Sequence, residues 1–346
     1  MKFNYNWKLS DLVKVKSNGL KVFSCFGGGG GSSMGYKMSG FDVLGCNEID
    51  PKMAKAYQEN LKPERIFVQP IQTFKERDDL PKELYDLDIL DGSPPCSSFS
   101  ISGSREKGWQ ENKKFKEGQA KQILDDLFFH YIDLAKKLRP KVIIAENVKG
   151  LLMGNAKGYV KQILNRLDDA GYHVQLFLLN GMTMGLPQKR ERVFFVCSRK
   201  DLNLPHLDLM FNEKLVNVSE LDSPEGGKPL SEKQEQMWQW CQLNDEKCCG
   251  KAHTALFGKR SNFNTIKLRS NEPSSTVTAG CFLMHWRERR FLNTREIAQI
   301  CSFPADYIFQ NDSQAIYQMG MSVPPLMTHR LSQEIYKQWF EGDING

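Results

Sequence analysis

The sequence predicts an α/β fold, a doubly wound Rossmann-like domain with a second, small irregular domain after it. Three observations carry that expectation. Short apolar runs alternate with amphipathic stretches over the first 200 residues, a glycine run follows the first apolar run, and the alternation fades after Lys200. Strand-sized runs separated by helical periodicity mark parallel strands joined by crossover helices. In chain order the expected strands are Lys21 to Phe26, Phe41 to Cys46, Leu87 to Leu90, Lys141 to Ala145, His173 to Leu179 and Val193 to Cys197. Ile123, Leu124, Leu127, Phe128, Tyr131, Ile132, Ala135 and Leu138 recur at helical spacing and stop before Pro140, which ends a helix. Val160, Ile163, Leu164 and Leu167 repeat the pattern and end at Gly171. Ligands of such a sheet sit at the carboxyl ends of its strands.

After Lys200, polar and turn residues increase and the stretch from Leu202 to Gly280 gives few periodic segments, hence the irregular second domain. Apolar spacing returns at Ile297, Ile300 and Cys301, and at Leu331, Ile335 and Trp339 in an expected C-terminal helix.

Composition excludes several classes. With 346 residues, 40% hydrophobic and 25% charged, the chain has an ordinary soluble globular make-up with room for about two domains. No run approaches the ~18 to 20 apolar residues that span a bilayer, so no membrane partner is expected. The start, MKFNYNWKLSDLVKVK, is too polar for a signal peptide, which points to the cytoplasm. Nine cysteines without a CxxC read as reduced thiols. Cys248, Cys249 and His253 make a poor zinc site, being adjacent thiols without an evident fourth ligand, so no metal is expected.

Chemistry-bearing residues collect where strands end. Phe26 leads into Gly27 to Gly31 and on to Gly35; the loop fits GxGxxxG at Gly29, Gly31 and Gly35 and lacks the Gly-Lys-Ser/Thr of a Walker loop. Glycine at a strand-to-helix turn lets backbone amides approach a ligand. Glu48, past the next strand, is placed to accept hydrogen bonds from a ribose diol. Asp91-Gly-Ser-Pro-Pro-Cys96 presents a thiol from a proline-stiffened loop, and Glu146-Asn147-Val148 puts a carboxylate on the same sheet edge. Pro187-Gln188-Lys189-Arg190-Glu191-Arg192 precedes the last strand, with Arg190 and Arg192 on one side of an extended segment.

Together these features resemble the DNA (cytosine C5) methyltransferase family, in order from about Lys21 to the C-terminal helix. Gly92 to Gly103 is similar to its catalytic loop, Glu146-Asn147-Val148 to its ENV motif and PQKRER to Gln-x-Arg-x-Arg. The segment from Arg290 to Pro304 resembles the one after the target-recognition region, and Gly320 to Pro325 the final GNxVPP motif. The resemblance implies an S-adenosylmethionine-dependent methyltransferase domain (1–199), a target-recognition domain (200–314) and a segment packing back on the first domain (315–346). It implies catalysis by Cys96, Glu146, Arg190 and Arg192. It implies cofactor contacts, with S-adenosylhomocysteine as product, from Phe26, Gly28, Gly29, Gly31, Glu48, Ile49, Ile71, Pro95, Leu127, Ser322 and Val323. DNA contacts fall to Ser97, Ser100, Gln188, Lys259, Arg260, Lys267 and Arg269. The implied chemistry is addition of the Cys96 thiolate to carbon 6 of a flipped-out cytosine in double-stranded DNA, with N3 protonated by a buried Glu146, and methylation at carbon 5. Arg190 and Arg192 steady the base, and the loop from Cys96 to about Gln122 closes over it. A monomer is expected, in a restriction-modification setting with a cognate endonuclease or as a solitary bacterial or phage enzyme.

The chain departs from the family pattern at Ser24, where an acid is usual, at Pro70, where an adenine-contacting Asp is usual, at Ser97 and at Met321. The alternatives are a tRNA-methylating relative, although Cys281-Phe282-Leu283 lacks that branch's Cys-Phe-Thr, a noncatalytic DNA-binding homologue, and a nicotinamide-dependent oxidoreductase. The net charge of +6 is unevenly spread: from Lys247 to Arg290 nine Lys or Arg stand against Glu272 and Glu288, and from Leu202 to Glu246 three lysines face nine acids. A DNA-facing basic half and an acidic half turned away are expected of the small domain.

Overall fold

The computed structural model describes residues 3–95, 112–113, 122–123, 126–153, 156–259, 265–280 and 282–341, with backbone alone at 112–113 and 122–123. The chain divides into two compact units. One comprises Ser10–Asn180, Glu191–Met210 and Met327–Gly346, and the other Met1–Leu9, Gly181–Arg190 and Phe211–Leu326.

The larger unit is built on a seven-stranded sheet, with β1 Lys21–Cys25, β2 Asp42–Glu48, β3 Arg65–Val68, β4 Ile89–Gly92, β7 Val142–Val148, β8 Tyr172–Asn180 and β9 Glu191–Arg199. Two short strands, β5 Asn112–Lys113 and β6 Gln122–Ile123, pair antiparallel with each other. The main sheet runs β3-β2-β1-β4-β7-β9-β8. Helices α1 Gly31–Met38, α2 Pro51–Leu61, α3 Ile71–Lys75, α4 Leu127–Leu138 and α5 Ala156–Asp169 supply the crossovers. The order reverses between β1 and β4, whose carboxyl ends therefore flank the ligand crevice of a doubly wound sheet.

Burial explains these elements. Phe23, Leu90, Ile143 and Phe195 from the strands pack with Leu127, Tyr131 and Leu134 of α4 and Ile163 and Leu167 of α5 in one core. Each such side chain contributes about 1.5–3 kcal/mol on burial. Arg139, left-handed at φ 52, stops α4 just before Pro140. Asp50 caps α2, accepting from the Lys52 N–H at 2.8 Å, with Pro51 at the first helical position.

Three expectations change. β9 is antiparallel to both β7 and β8, because β8 returns through the short stretch 181–190 instead of a crossover helix. β3 went unread, since Arg65-Ile-Phe-Val is a four-residue, half-exposed edge strand without a long apolar run. The helix expected from Ile123 starts at Leu127, residues 122–123 being strand.

The second unit holds α6 Glu232–Leu243, α7 Cys249–Phe257, the parallel pair β10 Thr265–Lys267 and β11 Phe282–Met284, α8 Thr294–Ile300 and α9 Asp312–Met321. Leu230, Met237, Trp238, Cys241, Cys249, Ala252 and Met284 form its small core. α10, Pro325–Ile335, runs into a π-helical turn at Tyr336–Phe340. In the larger unit, His329 bonds Ser39 at 2.8 Å and the Trp339 indole donates to the Pro205 carbonyl at 2.9 Å.

Candidate active site

At the end of β1 the backbone turns sharply through Phe26 (φ 57) into the glycine loop. Gly30 is left-handed at φ 81, and a Cβ there would lie 2.4 Å from the Leu61 side chain, so this turn admits glycine only. Glu48, at the end of β2, ties the loop to its own strand. One carboxylate oxygen accepts from the Gly28 N–H at 2.7 Å and the other from the Asp50 N–H at 2.8 Å. Burial raises the Glu48 pKa, and these backbone bonds oppose the rise. Ile49 is half-buried beside it. Asn47 ties β2 to the next loop, donating to the Phe67 and Gln69 carbonyls. There Ile71 is buried, and the Gln69 Nε2 and Gln72 Oε1 atoms are buried without a hydrogen-bond partner. An orphaned amide donor and acceptor beside Pro70 suit the polar edge of a planar base, which supports a nucleoside-bearing cofactor at this edge of the sheet.

The second half of the site lies at β4 and β7. Gly92 packs so tightly on Tyr131 that a Cβ would meet its ring at 2.7 Å. Leu127, one turn earlier on α4, is fully buried. Asn147 donates to the Pro94 carbonyl at 3.1 Å and so fixes the Pro-Pro step against β7. Pro95, half-buried, is the last residue of that segment within the described residues. Cys96, Ser97 and Ser100 lie outside them, as do Arg260 and, apart from the backbone at 112–113 and 122, the expected closing loop. On the next strands Glu146 and Arg192 form an ion pair, Nε to Oε1 2.9 Å, with both side chains largely buried. Glu146 is therefore charge-paired instead of isolated in an apolar pocket.

Several expected residues go elsewhere. Arg190 is 1% exposed, and its guanidinium donates to the carbonyls of Val277, Gly320 and Ser322 at 2.7–3.0 Å within the second unit. Arg190 and Arg192 thus part company, because the extended strand begins only at Glu191. Gln188 is wholly buried, donating to the Ile300 carbonyl and accepting from the Val277 N–H, so it presents nothing to solvent. Lys267, 5% exposed, lies over the Trp238 ring at 4.8 Å. Ser322 and Val323 belong to the second unit, and the other expected cofactor contacts to the larger one.

Three residues of the acidic half reach the basic half: Asp245 pairs with Arg269 at 2.9 Å, Glu246 with Lys251 at 2.7 Å and Glu235 with Arg289 at 3.6 Å. Lys247 meets Glu272, and Arg290 meets Glu288 and Glu296. Lys259 and Arg287 remain exposed and, among the described residues, in no ion pair.

Two contributors escaped the sequence reading. Asn147 was read only as part of a motif, its tie to Pro94 being visible only in three dimensions. Asp91 is a buried carboxylate in an otherwise apolar strand, and that mismatch was the signal available.

Comparison with known proteins fits this geometry. Residues 20–337 match the family model for C-5 cytosine-specific DNA methylase. The chain is 31% identical to the type II methyltransferase M.FnuDI of Fusobacterium nucleatum, over 91% of this chain and 94% of that protein. It is 29% identical to M.MthTI of Methanothermobacter thermautotrophicus, over 94% and 99%. An Escherichia coli prophage protein assigned as a DNA modification methyltransferase shares the fold, with TM-score 0.67 and 20% identity over 92% of this chain and 99% of that one. The Entamoeba histolytica methyltransferase EhMeth does so at TM-score 0.61 and 16% identity, over 93% and 99%. These matches set aside the oxidoreductase reading and favour DNA over tRNA. The chain belongs to the C-5 cytosine-specific DNA methylase family.

Proposed function

We propose that the chain is a sequence-specific DNA (cytosine-5) methyltransferase that uses S-adenosylmethionine and acts through a covalent Cys96 adduct. The observation that carries this reading is the Asn147 bond to Pro94. It holds the start of the Cys96 loop beside the strand that bears Glu146, itself paired with Arg192. The glycine loop with Phe26, Gly28, Gly29 and Gly31, the fixed Glu48 and Ile49, the buried Ile71 and the orphaned Gln69 amide suit the cofactor. When bound, S-adenosylmethionine supplies the electrophilic methyl group that carbon 5 of cytosine takes.

The protein's part is to make that carbon nucleophilic. The Cys96 thiolate adds to carbon 6, and the ring electrons pass towards N3, where a proton from Glu146 receives them. For that, the Glu146–Arg192 pair exchanges partners: Arg192 turns to the base, and Glu146, taking up a proton from solvent as it leaves the guanidinium, turns to N3 and regains that proton when the product forms. Loss of the carbon 5 proton after methylation then expels Cys96. Base flipping into the site costs a few kcal/mol. Arg190, committed to carbonyls, supports the chain before Arg192 instead of touching the base. The type II relatives make a restriction-modification setting with a cognate endonuclease the natural one, the enzyme acting as a monomer on double-stranded DNA.

Labelled methyl transfer from S-adenosylmethionine to mixed DNA is expected, lost in Cys96→Ser. Duplex containing 5-fluorocytosine should trap a covalent complex, because fluorine cannot leave as a proton does. A Cys96→Ser variant that trapped as much complex as the wild type would refute the nucleophile. Duplex binding without transfer would favour a noncatalytic homologue, and transfer to tRNA alone the RNA-directed branch.

A further inference from the structure

One buried carboxylate has no part in that reaction. Asp91 lies at the carboxyl end of β4, directly opposite Ser24 of β1 in the parallel ladder, and is 4% exposed. These are the two strands between which the sheet order reverses, so the pair sits at the switch point, beneath the glycine loop that Ser24 and Cys25 lead into. Asp91 Oδ2 accepts from the Ser24 hydroxyl and Oδ1 from the Tyr36 hydroxyl, each at 3.1 Å. Ser24 has one proton to give. The neighbouring hydroxyls therefore run in one direction, with Tyr57 donating to Ser33 at 2.7 Å and Ser33 to Ser24 at 3.1 Å. A chain of donors is thus aimed at an anion. Among the described residues, no Lys, Arg or His pairs with it.

The other titratable groups facing Asp91 are Cys25 on β1, Tyr131 on α4 and Glu146 on β7. Burial pushes the Cys25 thiol and the Tyr36 and Tyr131 phenols well up, so they stay neutral. Burial also lifts Asp91 to about 7, with the Glu146 charge adding and the Ser24, Tyr36 and Ser32 hydrogen bonds opposing. A carboxylate built in among donors, but without a counter-ion, is costly unless a cation arrives from outside. The chain carries Ser24 where relatives usually have an acid, and the neighbouring strand brings a carboxylate to the same place.

We propose that Asp91 is a charge-selecting residue of the cofactor site, which ionises as the sulfonium of S-adenosylmethionine binds and so favours that cofactor over the neutral thioether product. This rests on the proposed use of S-adenosylmethionine. On binding, the carboxyl O–H bond breaks, its electron pair stays on Asp91, and the proton passes to solvent. The α-amino group is common to cofactor and product, so it does not account for the selection.

The test is calorimetric titration of the whole protein with S-adenosylmethionine and with S-adenosylhomocysteine, from pH 6 to 8.5, in buffers of different ionisation enthalpy. Wild type should release part of a proton near pH 7 with S-adenosylmethionine, and its preference over the product should rise from pH 6 to 8. Asp91→Asn can still accept one of the two hydrogen bonds and should fold. It should release no such proton and lose about tenfold in preference. Ser24→Asp combined with Asp91→Ser should regain both, and Glu146→Gln should move the release to lower pH without abolishing it. Unchanged proton release and preference in Asp91→Asn would overturn the proposal, as would equal weakening of both ligands in that variant and in the exchanged pair. Wild-type protein that bound neither ligand would instead defeat the cofactor reading.

Discussion

Arg190 and Arg192 stand two positions apart and are bound to differ in what they lose on truncation. Arg190 satisfies three buried carbonyls, so Arg190→Ala leaves them unpaired around a cavity. A loss of about 3–5 kcal/mol is expected in chemical denaturation. Arg192→Ala leaves the largely buried Glu146 carboxylate without its cation and should cost a comparable ~3 kcal/mol, but methyl transfer by the folded variant falls a hundredfold or more, whereas folded Arg190→Ala keeps most of it. The reverse pattern would return Arg190 to the base. Asp91 carries a second expectation. Its folded pKa of about 7 lies above the ordinary 3.8, so the folded state holds a proton that the unfolded state gives up between those values. The protonated carboxyl's contribution is full below pH 4 and fades as pH rises through 7. The melting temperature of wild type should therefore fall relative to Asp91→Asn across that window; a constant difference would place the Asp91 pKa near that of an ordinary carboxylate. Glu48 was legible from its place after a strand, whereas Asp91 was not, since a register partner such as Ser24 is invisible along a single sequence.

At the scale of elements, hydrophobic periodicity carried most of the larger unit. β1, β4 and β7 are buried almost throughout because both sheet faces are covered, their apolar runs broken towards the carboxyl ends by Ser24, Asp91 and Glu146-Asn147, and α4 and α5 show one apolar stripe each. α6 was hidden because only Met237, Trp238 and Cys241 are buried in twelve residues, too few to set a period, although Ser231 and Gln234 form a capping box at its start. Close approach of strands was equally hidden. Leu44 is an extra residue in β2 that shifts the ladder with β1, and next to it Gly45 (φ 150) passes so near Arg65 that a Cβ would sit 1.8 Å from its carbonyl oxygen. Gly45→Ala should push β3 off β2, lowering stability by roughly 2–4 kcal/mol and weakening S-adenosylmethionine binding, because Glu48 ends β2 and Gln69 directly follows β3. Thermal melts with and without the cofactor check this. An unshifted melting temperature would mean that β3 moves aside freely.

For the molecule as a whole, the instructive quantity is where charge remains after folding. Summed along the chain, the stretch from Lys247 to Arg290 promised a broad basic face, but pairing with Asp245, Glu246, Glu235 and Glu272 takes up four of its nine cations. Sequence distance concealed this, since Glu235, Asp245 and Glu246 come from the helix and turn that precede the stretch and Glu272 stands far along it from Lys247. Affinity for the DNA substrate that the family implies should then depend on a few exposed cations, each releasing about one counter-ion from phosphate. Lys259→Ala and Arg287→Ala should each lower the slope of log affinity against log salt by ~0.9. Lys267→Met should leave that slope unchanged and act on stability alone, its ammonium being spent over Trp238, where burial already lowers its pKa. Asp245→Asn works in the opposite sense: it frees the Arg269 guanidinium, so binding at low salt should tighten and the slope steepen. Fluorescence anisotropy on a duplex at 50 to 200 mM salt measures all four variants. If Lys267→Met flattened the slope as Lys259→Ala does, the buried lysine would have to reach phosphate after all, and the basic face would be wider than the ion pairs allow.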